Sequence, residues 1–290
     1  MGTLFVVGTP IGNLEDITLR ALRVLRECSL IAAEDTRRTR ILLEHYGIRV
    51  PMVSYFEHNA PVRIPQVLEA LARGDVALVS EAGMPGLSDP GIELIQAALA
   101  RGFPVVPVPG PSAPITALVV SGLPADRFLF LGFLPRKAGE RRRLLAMVAS
   151  LPWTLVAFEA PHRLRASLQD LLEILGDRPM AVARELTKVH EEVRRGTIRE
   201  MMAHFARHEP RGEFTLVIAG APSAAAIWEE EEVRERLRTL LQAGASPAQA
   251  AREVARASGW PRAAVYQMAL SLQQATPPAP DPSAPSRQGK

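Results

Sequence analysis

The chain contains one cysteine, Cys28, and only three lysines, Lys137, Lys188 and Lys290, among 290 residues. A single thiol excludes an intramolecular disulfide, a cysteine-rich zinc site and an iron–sulfur cluster. No apolar run approaches the roughly 18 residues that a membrane span requires, and no basic segment ahead of an apolar stretch marks the N-terminus. Met1 leads almost at once into an apolar run at Leu4–Val7, so the chain is expected to be soluble and cytoplasmic, with no membrane partner. Nucleotide signatures are missing too: no Gly-x-Gly-x-x-Gly follows that first run, and there is no Walker lysine. No residue pattern suggests a metal site.

What is present is a globular composition, 47% apolar and 22% charged, with length for two domains and a small third. The net charge is only +3. Its basic side is almost entirely arginine, the side chain that pairs bidentately with phosphate. Two clusters stand out, Arg37-Arg38-Thr39-Arg40 and Arg136-Lys137 with Arg141-Arg142-Arg143. Each reads either as a solvated helix face or as a surface for nucleic acid.

Over the first ~115 residues short apolar runs alternate with amphipathic segments. Strands are predicted at Leu4–Val7, Leu30–Ala33, Met52–Tyr55, Val76–Ser80 and Val105–Val108. A helix is expected over Ile17–Arg26, with Ile17, Ala21, Leu22 and Leu25 on one face. Gly47, Gly74 and Gly102 stand where helix C-caps belong. Together these describe a parallel sheet covered by helices.

A second α/β domain with a mixed sheet follows. Its strands are predicted at Phe128–Leu131, Thr154–Phe158, Met180–Arg184 and Glu213–Ile218, and its helices at Glu140–Ala149 and Leu164–Leu175. His190–Gly196 reads as an edge strand. An Ala/Pro/Ser linker, Ala221–Ala226, leads to an all-helical segment that begins at Glu229-Glu230-Glu231-Glu232, where negative charge suits a helix N-terminus. The spacing Ala250-Ala251, Val254, Gly259, Val265 has the form of a helix-turn-helix. Domain limits are expected at 1–118, 119–222 and 229–273, with a Pro-rich disordered tail over 274–290.

Chemistry is expected at strand ends, because ligands of open α/β sheets bind beyond the carboxyl ends of strands. The Val76–Ser80 run passes into Glu81–Gly91, a loop with three Gly, two Pro and two carboxylates. The first strand ends in Gly8-Thr9-Pro10-Ile11-Gly12-Asn13-Leu14 and the fifth in Pro109-Gly110-Pro111-Ser112-Ala113. Glycine lets a ligand approach the backbone, and proline fixes the loop at low entropy. These loops frame a cleft but lack the basic residues a polyphosphate would need. In the second domain, Glu159, His162, Arg163, Arg184, Glu185 and Lys188 gather at strand ends, as an ion-pair network or as part of a site.

Six segments, in order, are Thr9–Leu14, Ala33-Glu34-Asp35-Thr36-Arg37, Ser88-Asp89-Pro90-Gly91, Pro109–Ser112, Glu159-Ala160-Pro161-His162-Arg163 and Ala183-Arg184-Glu185-Leu186-Thr187-Lys188. With them the chain resembles the bacterial small-subunit ribosomal RNA 2′-O-ribose methyltransferases of the tetrapyrrole methylase superfamily, over residues 3–220 and in the helical C-terminal module. The resemblance implies a two-domain tetrapyrrole-methylase-like fold, with S-adenosylmethionine bound between the domains. It also implies a cytidine of the decoding region of 16S rRNA as acceptor, and a homodimer. By position, it assigns donor binding to Pro10, Glu81, Gly83, Met84, Ser112, Ala113, Phe158, Ala183 and Thr215. Two residues depart from the family pattern: Glu81 replaces the usual aspartate and Met84 the usual threonine, whose hydroxyl is lost.

Methyl transfer from a sulfonium needs above all in-line positioning, and a ribose hydroxyl benefits from a base. Glu159, His162, Glu185 and Lys188 are the candidates, and Lys188 qualifies only if its pKa is lowered. Arg37, Arg38, Arg136, Arg141, Arg142, Arg143 and Arg163 are the candidate RNA contacts. A tetrapyrrole precursor is the alternative acceptor. It would use the same donor cleft but needs neither the arginine clusters nor the C-terminal module. A non-enzymatic nucleic-acid regulator built on the helix-turn-helix would leave that cleft unexplained.

Overall fold

The structure, a computed structural model, describes residues 1–222 and 228–275. The chain divides into two compact units, Met1–Ala221 and Pro222–Lys290. Most of the expected linker, residues 223–227, and the expected tail from 276 onward lie outside the described residues.

Unit 1 opens with strands β1 (Leu4–Val7), β2 (Leu30–Ala33), β3 (Met52–Ser54), β4 (Val76–Val79) and β5 (Val105–Val108). The helices α1 (Leu19–Glu27), α2 (Thr36–His45), α3 (Ala60–Arg73) and α4 (Ile92–Ala100) connect them. Their sheet has the order β3-β2-β4-β1-β5, and every pairing is parallel. β4 is buried along its whole length, as an unalternating apolar strand should be when helices cover both faces. Leu25, Ile31 and Leu43 pack in one core and Leu68, Leu71 and Leu94 in another. Gly47 and Gly102 are left-handed, at φ 63° and 74°. Gly74 also caps its helix, but in an extended conformation. Its environment is tight: a Cβ on Gly2 would fall 2.0 Å from the Gly74 carbonyl oxygen.

The remainder of unit 1 comprises α5 (Ala113–Ser121), β6 (Phe128–Phe133), α6 (Ala138–Val148), β7 (Thr154–Glu159), α7 (Leu164–Leu175), β8 (Pro179–Arg184), β9 (Glu192–Thr197), α8 (Ile198–Arg207) and β10 (Phe214–Ile218). The second sheet runs β6-β7-β10-β8-β9, with β9 at the edge. Only β6 and β7 pair in parallel; the other pairs are antiparallel. Leu145, Leu168 and Met201 build the core on one face. On the other, α5 packs Leu118 with Val156, Ala181 and Val217. The boundary expected between 118 and 119 therefore falls inside a helix that belongs to the second sheet.

Unit 2 consists of α9 (Glu230–Gln242), α10 (Pro247–Ser258) and α11 (Arg262–Ala275), closed around Val233, Leu237, Val254 and Val265. The Glu232 side chain accepts a hydrogen bond from the Glu229 N–H at 3.1 Å, and Ser246 caps α10. These are the local signals that start helices. α11 continues to Ala275, past the 274 at which the tail was expected to begin. Among the described residues no helix is long and apolar enough to cross a membrane.

Candidate active site

Strands β1, β2, β4 and β5 are parallel, so their carboxyl ends lie along one edge of the first sheet. The loops after β1 and β4 are tied together. Thr9 N–H donates to Gly83 O at 2.9 Å, and Gly83 N–H returns to Thr9 O at 3.1 Å. The end of β5 joins them through Gly8 N–H, which donates to Val108 O at 3.0 Å. Gly8 must be glycine, because a Cβ there would lie 2.8 Å from Gly110 Cα and 2.7 Å from Met84 Sδ.

The second sheet contributes a row of side chains. Thr215 of β10 sits opposite both Phe158 of β7 and Ala183 of β8, and Phe133 of β6 lies opposite Phe158. The two aromatic rings meet at 5.2 Å between centroids. The loop after β8 latches the sheets together. The Thr187 hydroxyl accepts from Asn13 N–H at 3.1 Å, and a Cβ on Gly12 would lie 2.8 Å from Leu186 O. Glu185 and Thr187 hold positive φ there, 50° and 64°, a strain that the surrounding contacts must maintain.

Between the sheets lies a cavity of about 340 Å3. Its walls bring together Glu81, Gly83, Met84, Ser112 and Ala113 from the first sheet and Phe158, Ala183 and Thr215 from the second. Among the expected donor residues only Pro10 is elsewhere. It lines a second cavity, of about 300 Å3, which shares Ile11, Glu81, Ala82 and Glu213 with the first.

The two cavities differ in charge. Five acidic residues, Glu34, Glu81, Asp89, Glu159 and Glu213, line the first, which has no Lys or Arg in its wall. Three of them are paired with cations outside that wall, Glu81 with Arg38, Glu159 with Arg163 and Glu213 with Lys188. The second adds Arg38 and Lys188 to Glu81 and Glu213, and Arg38 Nε pairs with Glu81 at 3.3 Å. Glu34 accepts from Glu81 N–H at 3.0 Å; burial chiefly raises its pKa. Asp89 was not singled out by sequence as a reacting group. Burial, reinforced by the charges of Glu34 and Glu81, raises it to about 7, while the neighbouring Ser80 hydroxyl pulls the other way. The preceding Ser88 has φ 67°, and a Cβ on Gly132 of β6 would sit 3.2 Å from its Oγ.

The structure changes the standing of the expected bases. Glu159 is 1% exposed. It accepts from Ala160 N–H at 2.7 Å and from the Ser167 hydroxyl, and it pairs with Arg163 at 2.7 Å. Both oxygens are thus engaged. Lys188 donates to Glu185 at 3.0 Å and Glu213 at 3.1 Å. Burial lowers its pKa, but these two partners outweigh burial and the net direction is up. The lowered lysine that base catalysis requires is not found. Burial raises Glu185, but the Glu213 N–H and Lys188 outweigh it, and the net direction is down. His162 is exposed on the turn after β7 and is not in the cavity wall.

The arginines also divide. Arg141 is 3% exposed; its Nε donates to Asp170 at 2.7 Å and its Nη1 to Pro135 O at 3.2 Å. It closes the β6–α6 loop and cannot reach RNA, which corrects that expectation. Arg163 is held by Glu159 and Leu134 O. Arg142 is shared by Asp170 and Glu173. Arg37 extends from α2 beside Asp35, and Arg136 and Arg143 are exposed.

The family model for Tetrapyrrole (Corrin/Porphyrin) Methylases matches residues 3–202. The chain belongs to this family. A second model, the RsmI C-terminal HTH domain, matches residues 229–273. Among curated relatives, a Synechocystis sp. protein named ribosomal RNA small subunit methyltransferase I is 48% identical over 276 residues, 94% of this chain and 99% of that protein. A Thermotoga maritima protein of the same name is 51% identical over 221 residues, 76% of this chain and 99% of that protein. Solved tetrapyrrole methylases share the fold. The methyltransferase CobJ superposes with a TM-score of 0.58 at 17% identity, covering 76% of this chain and 95% of its own. Uroporphyrin-III-C-methyltransferase from Thermus thermophilus gives 0.53 at 23%, covering 75% and 94%.

Proposed function

We propose that this chain transfers the methyl group of S-adenosylmethionine to the 2′-hydroxyl of a cytidine ribose in 16S rRNA, in the decoding region of the small ribosomal subunit. The observation that carries this reading is the acid-lined cavity between the sheets. S-adenosylmethionine bears a sulfonium, an ammonium and one carboxylate, a net positive charge. No Lys or Arg lines the wall, and two of its acidic residues, Glu34 and Asp89, form no ion pair among the described residues, which favours such a ligand over a phosphate-bearing one. Gly83, Ala113 and Ala183 leave room for close approach, and Phe158 offers an aromatic face. When bound, the donor supplies an activated methyl carbon and a neutral thioether leaving group.

The acceptor is inferred from the relatives, which are named for small-subunit ribosomal RNA. Phosphates of that RNA would not enter the acidic cavity. They would meet Arg38 at the second cavity and the exposed Arg37, Arg136 and Arg143, leaving a single ribose to reach the donor. The reaction would then take place in the cytoplasm, where the subunits are. A homodimer is supported by α5, which exposes Ile115, Val119 and Val120 on a helix with little polar surface.

Incubating the full chain with labelled S-adenosylmethionine and small subunits from a strain lacking the modification tests the reading. Label in the small-subunit RNA supports it. Label only in a tetrapyrrole precursor supplied in parallel would replace it with small-molecule methylation.

A further inference from the structure

We propose that Asp89 is the catalytic base, accepting the proton of the acceptor hydroxyl as the new O–CH3 bond forms. The inference rests on the methyl-transfer reading above. As the oxygen lone pair attacks the methyl carbon, the C–S bond breaks and its electron pair returns to sulfur. The O–H electrons stay on oxygen, and the proton passes to an Asp89 carboxylate oxygen.

Elimination narrows the choice. Glu159 has both oxygens occupied, Glu81 pairs with Arg38, and Glu213 pairs with Lys188. Glu34 has one oxygen engaged by the Glu81 backbone, so it is the competing carboxylate that the Glu34→Gln variant tests. His162 is not in the wall. Asp89 lines the same cavity as the donor set but lies outside that set, and among the described residues it makes no ion pair. The groups that face it are the Glu34 and Glu81 carboxylates and the Ser80 hydroxyl.

Two further features suit the role. Asp89 follows a non-glycine residue at φ 67° whose side chain packs towards Gly132 of β6, so the loop is fixed in a strained form typical of functional positions. Its affinity for protons is raised to about 7, near the value at which a base is both free and effective at neutral pH.

The test compares wild type, Asp89→Asn and Glu34→Gln as full chains, using labelled S-adenosylmethionine and small subunits lacking the modification. For wild type, kcat/KM should rise with pH and level off above about pH 7, because the base must be deprotonated. Asp89→Asn should lose about 100- to 1000-fold in rate and the acidic limb with it, while binding S-adenosylhomocysteine within threefold of wild type. Asp89→Glu should recover part of the rate and the limb. A readout independent of turnover is calorimetry at pH 7 in buffers of different ionisation enthalpy. Binding the cationic donor should release a proton fraction from wild type that Asp89→Asn does not release.

An Asp89→Asn protein with the wild-type rate and limb would overturn the proposal, as would a Glu34→Gln protein that loses the rate while Asp89→Asn keeps it. A limb displaced to lower pH in Glu34→Gln is expected, because the Glu34 charge helps raise Asp89. Loss of S-adenosylhomocysteine binding in a folded Asp89→Asn protein would make Asp89 a donor contact instead. Failure of the wild type itself to methylate RNA would remove the underlying reading, and the proposal with it.

Discussion

The two cavities of unit 1 are nearly the same size, about 340 and 300 Å3, and share Ile11, Glu81, Ala82 and Glu213. Size therefore does not set them apart; two cations do. Arg38 and Lys188 line one cavity, and no Lys or Arg lines the other. Because Coulomb energies grow as water is excluded, a cationic donor and an anionic RNA backbone would sort themselves between neighbouring spaces. On the proposed reading, that difference in charge would keep phosphate away from the donor.

Three substitutions would break or sharpen this contrast, and a fourth tests the fold beside it. The largest effect on stability is expected from Arg141→Ala, which belongs to neither cavity. It removes the buried partner of Asp170, 3% exposed, which keeps Arg142 at 2.7 Å on its other oxygen. The cost should therefore lie below the roughly 3–5 kcal/mol of leaving a buried charge wholly unpaired. Thermal unfolding should show the loss, whereas substituting Arg136 should not change the melting temperature. Gly8→Val should disrupt the first cavity, which the proposal assigns to the donor, since even its Cβ overlaps Gly110 and Met84. Calorimetry should record at least about a 100-fold loss of donor affinity, or about 2.7 kcal/mol.

Glu81→Gln acts on both cavities in opposite directions. Donor affinity should fall about tenfold, while RNA binds slightly more tightly because Arg38 loses its partner at 3.3 Å. Equal weakening of both ligands would mean that the cavities are not separate by charge. The smallest effect is that of Arg38→Gln. RNA affinity should drop by a few fold, with the slope of log K against log salt reduced by about one, and donor binding should tighten slightly because Glu81 loses its cation.

The strand ends were legible in the sequence because short apolar runs followed by Gly/Pro-rich loops have few other uses. All five strands of the first sheet were foreseen to within a residue. The row Phe133–Phe158–Thr215–Ala183 follows from one parallel and two antiparallel registers between separate strands, which no local signal fixes. Arg141 looked like its exposed neighbours because its partner, Asp170, lies 29 residues away. Glu159 looked free because Ser167, which occupies its second oxygen, is brought back only by the first turns of α7. Asp89 was visible as the second carboxylate of the Glu81–Gly91 loop, yet its environment depends on Glu34 at the end of a different strand.

The most direct measurement is nucleoside mass spectrometry of small-subunit RNA from a strain lacking this modification, with and without this chain supplied. One additional methyl on the ribose of a single decoding-region cytidine, present only with the chain, is the expected result. A methyl on a base, or no difference between the two RNA samples, would contradict it.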